Sequence, residues 1–478
     1  MNVERTGILL KPDAGRVLLS PFKPVNAQQM LGRIMSLTDV EVENEFNLVH
    51  LEFGNRHRDL QKFFLQRYEQ VKQYLLNNTL LSENRKKLIG ACFTSEYSIE
   101  SAALFNPSVV WHPDQSNLAD GSKRFILSLR ATGEGHISSI VFRTGIIGKN
   151  GIINLEIPSK YITIPDNVSN INLEKEFIEK IFIDFGIDKD ISTQILTKLR
   201  TNFLLPELEK QIDTVKNKIP TEDLIRIKLN RVLSTVCSNY KISYSSDKNI
   251  SEQIIFPYGP TEVNGIEDAR FVQFVKEDGS IIYYATYTAY DGHIIQPQLI
   301  ATQDFENYII STLHGREVKN KGMAIFPRKI FGKYATLSRQ DGENLYIMFS
   351  ENIHFWDSKK VLLKPSFSWE ILQIGNCGSP IETEKGWLVL SHGVGPMRKY
   401  SIGAFLLDLK DPTKVIGRLK KPLISPDENE REGYVPNVVY SCGSIIFGDK
   451  LIIPYAMSDS ASSFATVNLD KLLIELTT

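Results

Sequence analysis

Cysteine is scarce in this chain of 478 residues. The four present, Cys92, Cys237, Cys377 and Cys442, lie far apart and form no Cys-x-x-Cys pair. That spacing argues against a disulfide scaffold or a zinc ribbon and suits a reducing compartment, so a cytoplasmic protein is expected. Long apolar runs are also missing. No stretch approaches the roughly 18 uninterrupted apolar residues of a membrane span, so no membrane partner is expected. Glu4, Arg5, Lys11, Asp13 and Arg16 break up the first residues, and no secretory signal is expected there. Charge of one sign is absent too: 55 Lys and Arg face 56 Asp and Glu, for a net charge of -1. A nucleic-acid binder relying on bulk positive charge is therefore not expected.

Catalytic fingerprints are equally sparse. The sequence holds no Walker A loop, no GxGxxG after a strand, no HExxH and no GxSxG elbow. Its eight histidines are dispersed without metal-ligand spacing, so neither a metal nor a bound cofactor is expected. What the chain does have is 42% hydrophobic and 23% charged residues, the balance of a globular protein with a core to bury. Its length fits two to four ordinary domains, or one large repeat fold with additions.

The hydrophobic period changes along the chain. Residues 7–22 read as two short strands around an Asp-Ala-Gly turn. Over 26–90, Leu60, Phe63, Phe64, Arg67, Tyr68, Val71, Tyr74 and Leu75 recur at three- and four-residue spacing, which predicts amphipathic helix. From about 100 the period becomes two, and SKRFILSLRATGEGHISSIVFRTGIIG predicts an antiparallel hairpin. Residues 171–235 return to a helical pattern, with a start at Pro220-Thr221-Glu222-Asp223. From about 250 onward, short strands punctuated by Asp278-Gly279, Asp341-Gly342 and Gly448-Asp449 predict an all-β body. The β-like segments total roughly 320 residues, enough for five loose propeller blades or six to eight compact ones. A pair of β-sandwiches fits the strand pattern as well. A radial fold is favoured by strands that run into Arg, Tyr, His or Asp near a turn, as in LSLRA, ATYTAYDG, ATLSRQDG, VLSHGVG and IPYAMSD.

The sharpest chemical cluster is Gly265-Ile266-Glu267-Asp268-Ala269-Arg270, two carboxylates and an arginine at a strand entrance. Acidic residues are poor strand formers, so a turn salt bridge or a buried general acid accounts for them there. Asn106-Pro107-Ser108 is a turn signature. Arg130 and Arg339 each end an apolar strand, suited either to a surface ion pair or to clamping an anion. His392, Arg398, Lys399 and Tyr400 crowd one loop and suggest an anion site, while Asp459 follows the last strong strand.

These pieces, in order, resemble glycoside hydrolase family 130, the mannoside phosphorylases and related β-mannosidases. They are FNPS (105–108), the strand ending in Arg130, GIEDAR (265–270), FPRKIFGKYATLSR (326–339), GSPIETEKGWLVLSHGV (378–394), YSIGAFLLDLKDPTKVIGR (400–418), EGYVPNVVYSCG (432–443) and YAMSD (455–459). Ala269 replaces a proline common in the family. The resemblance implies an all-β, five-bladed β-propeller. Residues 1–95 would be N-terminal strands plus a helical extension. Residues 96–478 would be the catalytic propeller, carrying a helical insertion at 171–245. It implies Asp268 as general acid, with Asn106, Ser108, Arg130 and Asp459 holding the mannosyl unit. Arg339, His392, Arg398, Lys399 and Tyr434 would bind phosphate. The reaction implied is inverting phosphorolysis of a manno-oligosaccharide to α-mannose 1-phosphate and a shortened acceptor. Phosphate is the co-substrate, and the proton travels through the sugar's own 3-hydroxyl. An inverting β-1,2-mannosidase is the alternative, with Glu134 or Glu432 as base; a non-catalytic glycan-binding propeller is another. The helical face over 60–76 is expected to pack on the propeller or on a second subunit.

Overall fold

The computed structural model describes residues 2–75, 80–220 and 223–478. The chain is mostly β with helical additions, and its strands fall into separate antiparallel sheets rather than one closed sheet. Among the described residues, five sheets have four or more strands. The first contains Ala103–Trp111, Lys123–Thr132, Ser138–Ile147 and Ile254–Ile255, with Ile153–Leu155 added. The second runs from Ile266–Val275 through Ile281–Tyr290, Ile295–Thr302 and Asn307–Thr312 to Tyr240–Ser243 and Asn167–Asn170. The third spans Ala324–Ile325 to Lys360–Leu363, and the fourth Gln373–Asn376 to Val415–Arg418. In the fifth, Val439–Tyr440, Lys450–Met457 and Ala461–Asn468 are joined by the N-terminal strand Val3–Leu10, which pairs antiparallel with Ala461–Asn468. The expected hairpin of Lys123–Thr132 with Ser138–Ile147 forms in full register.

Alternating apolar residues leave each sheet with faces that must be covered. Each sheet shares an apolar core with the next. Phe142 of the first meets Phe271 of the second edge-on at 6.0 Å. Phe274 of the second lies 5.6 Å from Tyr334 of the third, and Phe326 of the third lies 5.2 Å from Trp387 of the fourth. Ile402 and Leu406 of the fourth cluster with Val439, Leu451 and Ile453 of the fifth. Phe464 of the fifth packs on Phe125 of the first at 6.2 Å.

Two strands expected around the Asp-Ala-Gly turn form, but not with each other. Val17–Pro21 pairs with Thr94–Ser98, while Val3–Leu10 joins the fifth sheet. Val3–Leu10 finds its hydrogen-bonding edge on the C-terminal strands. Between them, helices Ala27–Ser36, Asp39–Phe53, Leu60–Val71 and Glu83–Cys92 build two apolar clusters of their own, with Tyr68 and Val71 buried in one and Leu60 and Phe64 in the other. A second helical core, with Phe182, Leu208, Ile212 and Leu229, lies between Asn167–Asn170 and Tyr240–Ser243. Its last helix, Leu224–Cys237, is capped by the Asp223 side chain, which accepts from the Ile225 N–H at 2.7 Å. Thr221 and Glu222 of that expected start lie outside the described residues. No helix among the described residues is long and apolar enough to cross a membrane.

The helical block is tied to the first sheet by a buried charge cluster. Glu100 accepts from Arg16 Nη1 at 2.6 Å and from Arg143 Nη2 at 2.7 Å, and all three side chains are almost fully enclosed. Removing the one carboxylate leaves two guanidinium groups unpaired in low dielectric. Glu100→Ala is therefore expected to cost about 3–5 kcal/mol of unfolding free energy, read from denaturant titrations against the parent.

Candidate active site

Two strands approach the site with defects in their ladders. The pairing of Ala103–Trp111 slips between Phe105 and Ser108, and that of Ile266–Val275 slips between Glu267 and Arg270. Such bulges re-aim a side chain out of the regular alternation. Asn106 and Asp268 occupy the slips, with φ of 50° and 57°. Arg398 and Asp459, on turns of the fourth and fifth sheets, also have positive φ, 55° and 52°. Left-handed backbone at a non-glycine residue costs on the order of 1–3 kcal/mol and persists where surrounding structure enforces it. All four strained residues line one cavity of about 130 Å³, together with Arg130, Lys321, Arg339, Tyr400 and Tyr440. Larger clefts exist elsewhere, one of about 330 Å³ among the N-terminal helices, but that one is lined mainly by apolar groups.

Asp268 is the centre of the contacts. Asn106 Nδ2 donates to its Oδ1 at 2.6 Å, and Arg130 Nη1 stands 3.6 Å from the same oxygen. Arg270, itself buried, donates from Nη1 to the Asp268 backbone carbonyl at 2.9 Å and from Nη2 to the Tyr440 hydroxyl at 2.8 Å. Burial alone would push the Asp268 carboxyl up. The charges of Arg130, Arg270 and Lys321 and the Asn106 hydrogen bond outweigh it and hold the group below the usual carboxylate range. Asp459 goes the other way. Burial, followed by the negative charge of Asp268, raises it to about 6.

Glu267 does not face the cavity. Its Oε1 accepts from Arg130 Nη2 at 2.8 Å and its Oε2 lies 3.4 Å from Lys321 Nζ, so it braces two of the cations. Arg130 is held further by the Ser138 hydroxyl, which accepts from Nε at 2.9 Å. Arg339 lies between two glycines. A Cβ on Gly322 would sit 2.8 Å from Arg339 Nε, and one on Gly375 would collide with His392. His392 is fully buried, with Nε2 3.4 Å from Arg339 Nη1. Burial first, then the charges of Arg339 and Arg270, hold its imidazole well below the usual histidine range, so it is neutral.

A model of the family described as beta-1,4-mannooligosaccharide phosphorylase matches residues 225–477. The chain belongs to glycoside hydrolase family 130. It is 37% identical over 212 residues to the 1,2-beta-oligomannan phosphorylase of Thermoanaerobacter sp. (strain X514), covering 44% of this chain and 70% of that one. It is 32% identical over 231 residues to the beta-1,2-mannobiose phosphorylase of Listeria innocua, covering 46% of this chain and 63% of that one. The solved complex of a beta-1,2-mannobiose phosphorylase from Listeria innocua with beta-1,2-mannobiose aligns over 80% of this chain and 93% of that one, at 24% identity and a TM-score of 0.48.

Of the residues singled out in this family-130 sequence, the cavity gathers Asn106, Arg130, Asp268, Arg339, Arg398 and Asp459. It does not gather four others. Ser108 is buried, and its hydroxyl accepts from the Phe271 N–H at 3.1 Å, a strut between the first and second sheets. His392 lies behind Arg339 rather than on the wall. Lys399 is exposed beyond the Pro396–Arg398 turn, and Tyr434 is 70% exposed beside the cavity residue Val435. Glu134 and Glu432 are exposed and off the wall, leaving Asp459 as the second carboxyl lining the cavity. Lys321 and Tyr440 escape sequence reading. Lys321 sits in a Lys-Asn-Lys-Gly loop that reads as a solvated turn, and Tyr440 sits in an apolar strand.

Raised from 3.8 to about 6, the Asp459 carboxyl binds its proton more tightly in the folded than in the unfolded chain. Folded stability contributed by this group therefore falls as pH rises between about 4 and about 6. Asp459→Asn removes that loss. The melting temperature of the variant relative to the parent is expected to climb across this window and level off above pH 7, as read by scanning calorimetry.

Proposed function

We propose that the chain is a five-bladed β-propeller enzyme that cleaves β-mannosides by inverting phosphorolysis, releasing α-mannose 1-phosphate and a shortened acceptor. The succession of apolar cores from the first sheet to the fifth and back to the first supports the propeller; two facing sandwiches would not share cores cyclically. The observation that carries the activity is that Asp268 and Arg339 line one cavity. The names of the relatives, mannoside phosphorylases, agree with it.

The wall of this cavity carries four cationic side chains, Arg130, Lys321, Arg339 and Arg398, against two carboxyls. An inverting hydrolase needs a carboxylate base opposite its acid; a phosphorylase needs cations there, because its nucleophile arrives charged. Glu134 and Glu432 do not supply such a base from where they stand. In the proposed reaction a phosphate oxygen, held by Arg339 and its neighbours, bonds to the anomeric carbon as the glycosidic C–O bond breaks on the opposite face. The departing oxygen receives the proton of Asp268, through the sugar hydroxyl that lies between them. Asn106 and Arg130 fix the orientation of Asp268, and Arg270 fixes its backbone. The buried Asn106 Oδ1 has no hydrogen-bond partner among the described residues, which suits it to a sugar hydroxyl.

Ionisation favours a fixed order of events. With the cavity empty, the surrounding cations keep Asp268 as a carboxylate. Bound phosphate dianion cancels those cations and adds negative charge, which raises the carboxyls and draws in the proton the reaction requires. Phosphate binding at neutral pH is thus expected to take up protons, visible as a dependence of the calorimetric binding enthalpy on the buffer's ionisation enthalpy.

Incubation with β-1,2- and β-1,4-mannobiose is expected to yield α-mannose 1-phosphate with phosphate present and no turnover without it. Turnover independent of phosphate would overturn the proposal. Asp268→Asn is expected to lower kcat by about 10²–10⁴-fold, and Arg339→Ala to raise the KM for phosphate by about 10- to 100-fold, the worth of a charged hydrogen bond.

A further inference from the structure

Two exposed rings stand together on loops that adjoin residues of the site, Tyr434 next to the wall residue Val435 and His136 two residues before Ser138, which holds Arg130. His136 and Tyr434 have centroids 5.9 Å apart and planes 31° apart, and both side chains are solvent-exposed. They come from different sheets. His136 lies on the tight turn between Lys123–Thr132 and Ser138–Ile147, with φ of 61°. Tyr434 lies on the segment leading into Val439–Tyr440.

Both supports reach directly into the site. The His136 turn is closed by the Gly133 N–H donating to the Ile137 carbonyl at 3.0 Å, and the next strand begins at Ser138, whose hydroxyl holds Arg130. Tyr434 precedes Val435, a wall residue whose N–H donates to the Ser458 carbonyl at 3.2 Å, one residue before Asp459. The segment is pinned at its far end, where Arg431 Nε donates to Asn437 Oδ1 at 2.8 Å and the Asn437 carbonyl accepts from the Tyr400 N–H at 3.0 Å. The rings therefore ride on the two supports that carry Arg130 and Asp459, displaced outward from them.

An exposed tyrosine of this kind has an apolar face and a polar tip, and is held by short anchored loops rather than a core. Pyranose rings present C–H groups on one face and hydroxyls at the edge, the complementary shape. We propose that His136 and Tyr434 form the platform for the leaving-group sugar, the pyranose on the acceptor side of the scissile bond. Tyr434 then takes no part in phosphate binding, in contrast to the role the family resemblance implies for it. The inference rests on a β-mannoside being the substrate; it does not depend on whether phosphate or water cleaves it.

The test compares a disaccharide with a monosaccharide in phosphate-free buffer. The affinity of the parent, Tyr434→Ala, His136→Ala and Tyr434→Trp for β-mannobiose and for mannose is measured by titration calorimetry, using whichever of the β-1,2 and β-1,4 dimers the parent binds more tightly. Tyr434→Ala is expected to weaken mannobiose binding about tenfold and to leave mannose within about twofold, consistent with the worth of a single ring contact. His136→Ala acts in the same direction, and Tyr434→Trp restores the dimer's advantage. Equal loss for dimer and monomer, no loss for either, a weaker affinity for inorganic phosphate in Tyr434→Ala, or a parent that binds no mannobiose overturns the platform. Failure of phosphorolysis is read separately, from product formed by the parent with and without phosphate. Both rings are exposed, so circular dichroism is expected to report unchanged folding in every variant.

Discussion

One carboxylate enclosed among cations sets the terms for the rest of this site. Asp268 is removed from water, which by itself would neutralise it. Arg130, Arg270 and Lys321 reverse that outcome, and each must in turn be held. Glu267 braces Arg130 and Lys321 from outside the cavity, and Tyr440 accepts from Arg270 beneath it. The adjacent acids at 267 and 268 thus do opposite things. One faces out and organises the cations; the other faces in and is organised by them. The bulge between Glu267 and Arg270 allows two neighbours on one strand to divide in this way.

The strain this requires is confined. Asn106, Asp268, Arg398 and Asp459 hold left-handed backbone at the inner ends of four different sheets, while the ladders behind them are regular. The apolar cores between sheets over-determine the position of each strand, so the local cost is outweighed by burial elsewhere. Pairing of Val3–Leu10 with Ala461–Asn468 serves the same end. It fixes the last sheet, which carries Asp459, by hydrogen bonds to the other end of the chain.

Much of this was legible in the sequence, and the parts that were not share a cause. Strands with a period of two and turns at Asp-Gly pairs announced the sheets, and the helical spacing of Leu60, Phe64, Tyr68 and Val71 announced its buried face. The partner of a strand is not a local property, so the separation of Val3–Leu10 from Val17–Pro21 could not be read from the turn between them. The same limit applies to the site. Asp268 and Arg339 stood out because a charge at a strand end is locally anomalous. Lys321 did not, because a lysine in a Lys-Asn-Lys-Gly loop is locally ordinary and gains its meaning only from Glu267 and the cavity. His392 lies against Arg339, where burial makes it a neutral support behind the guanidinium and not a charge on the wall.

The two carboxyls of the cavity are shifted in opposite directions for a reason that bears on how a proton is delivered. Asp268 has a hydrogen-bond donor in Asn106 and cations near it; Asp459 is buried and feels Asp268 as a like charge. Of the pair, Asp459 is therefore the first to protonate when the cavity is empty. Any anion that occupies the cationic wall makes both carboxyls harder to ionise. The proton is then assigned by contacts with the substrate, not by either carboxyl alone. A sugar hydroxyl that donates to Asp459 favours its ionised form and leaves the proton to Asp268, the group whose orientation Asn106, Arg130 and Arg270 fix. Holding the sugar and arming the acid are in that sense one electrostatic event. In the proposed reaction, the carboxylate that orients the mannosyl unit also decides, through its charge, whether its neighbour has a proton to give.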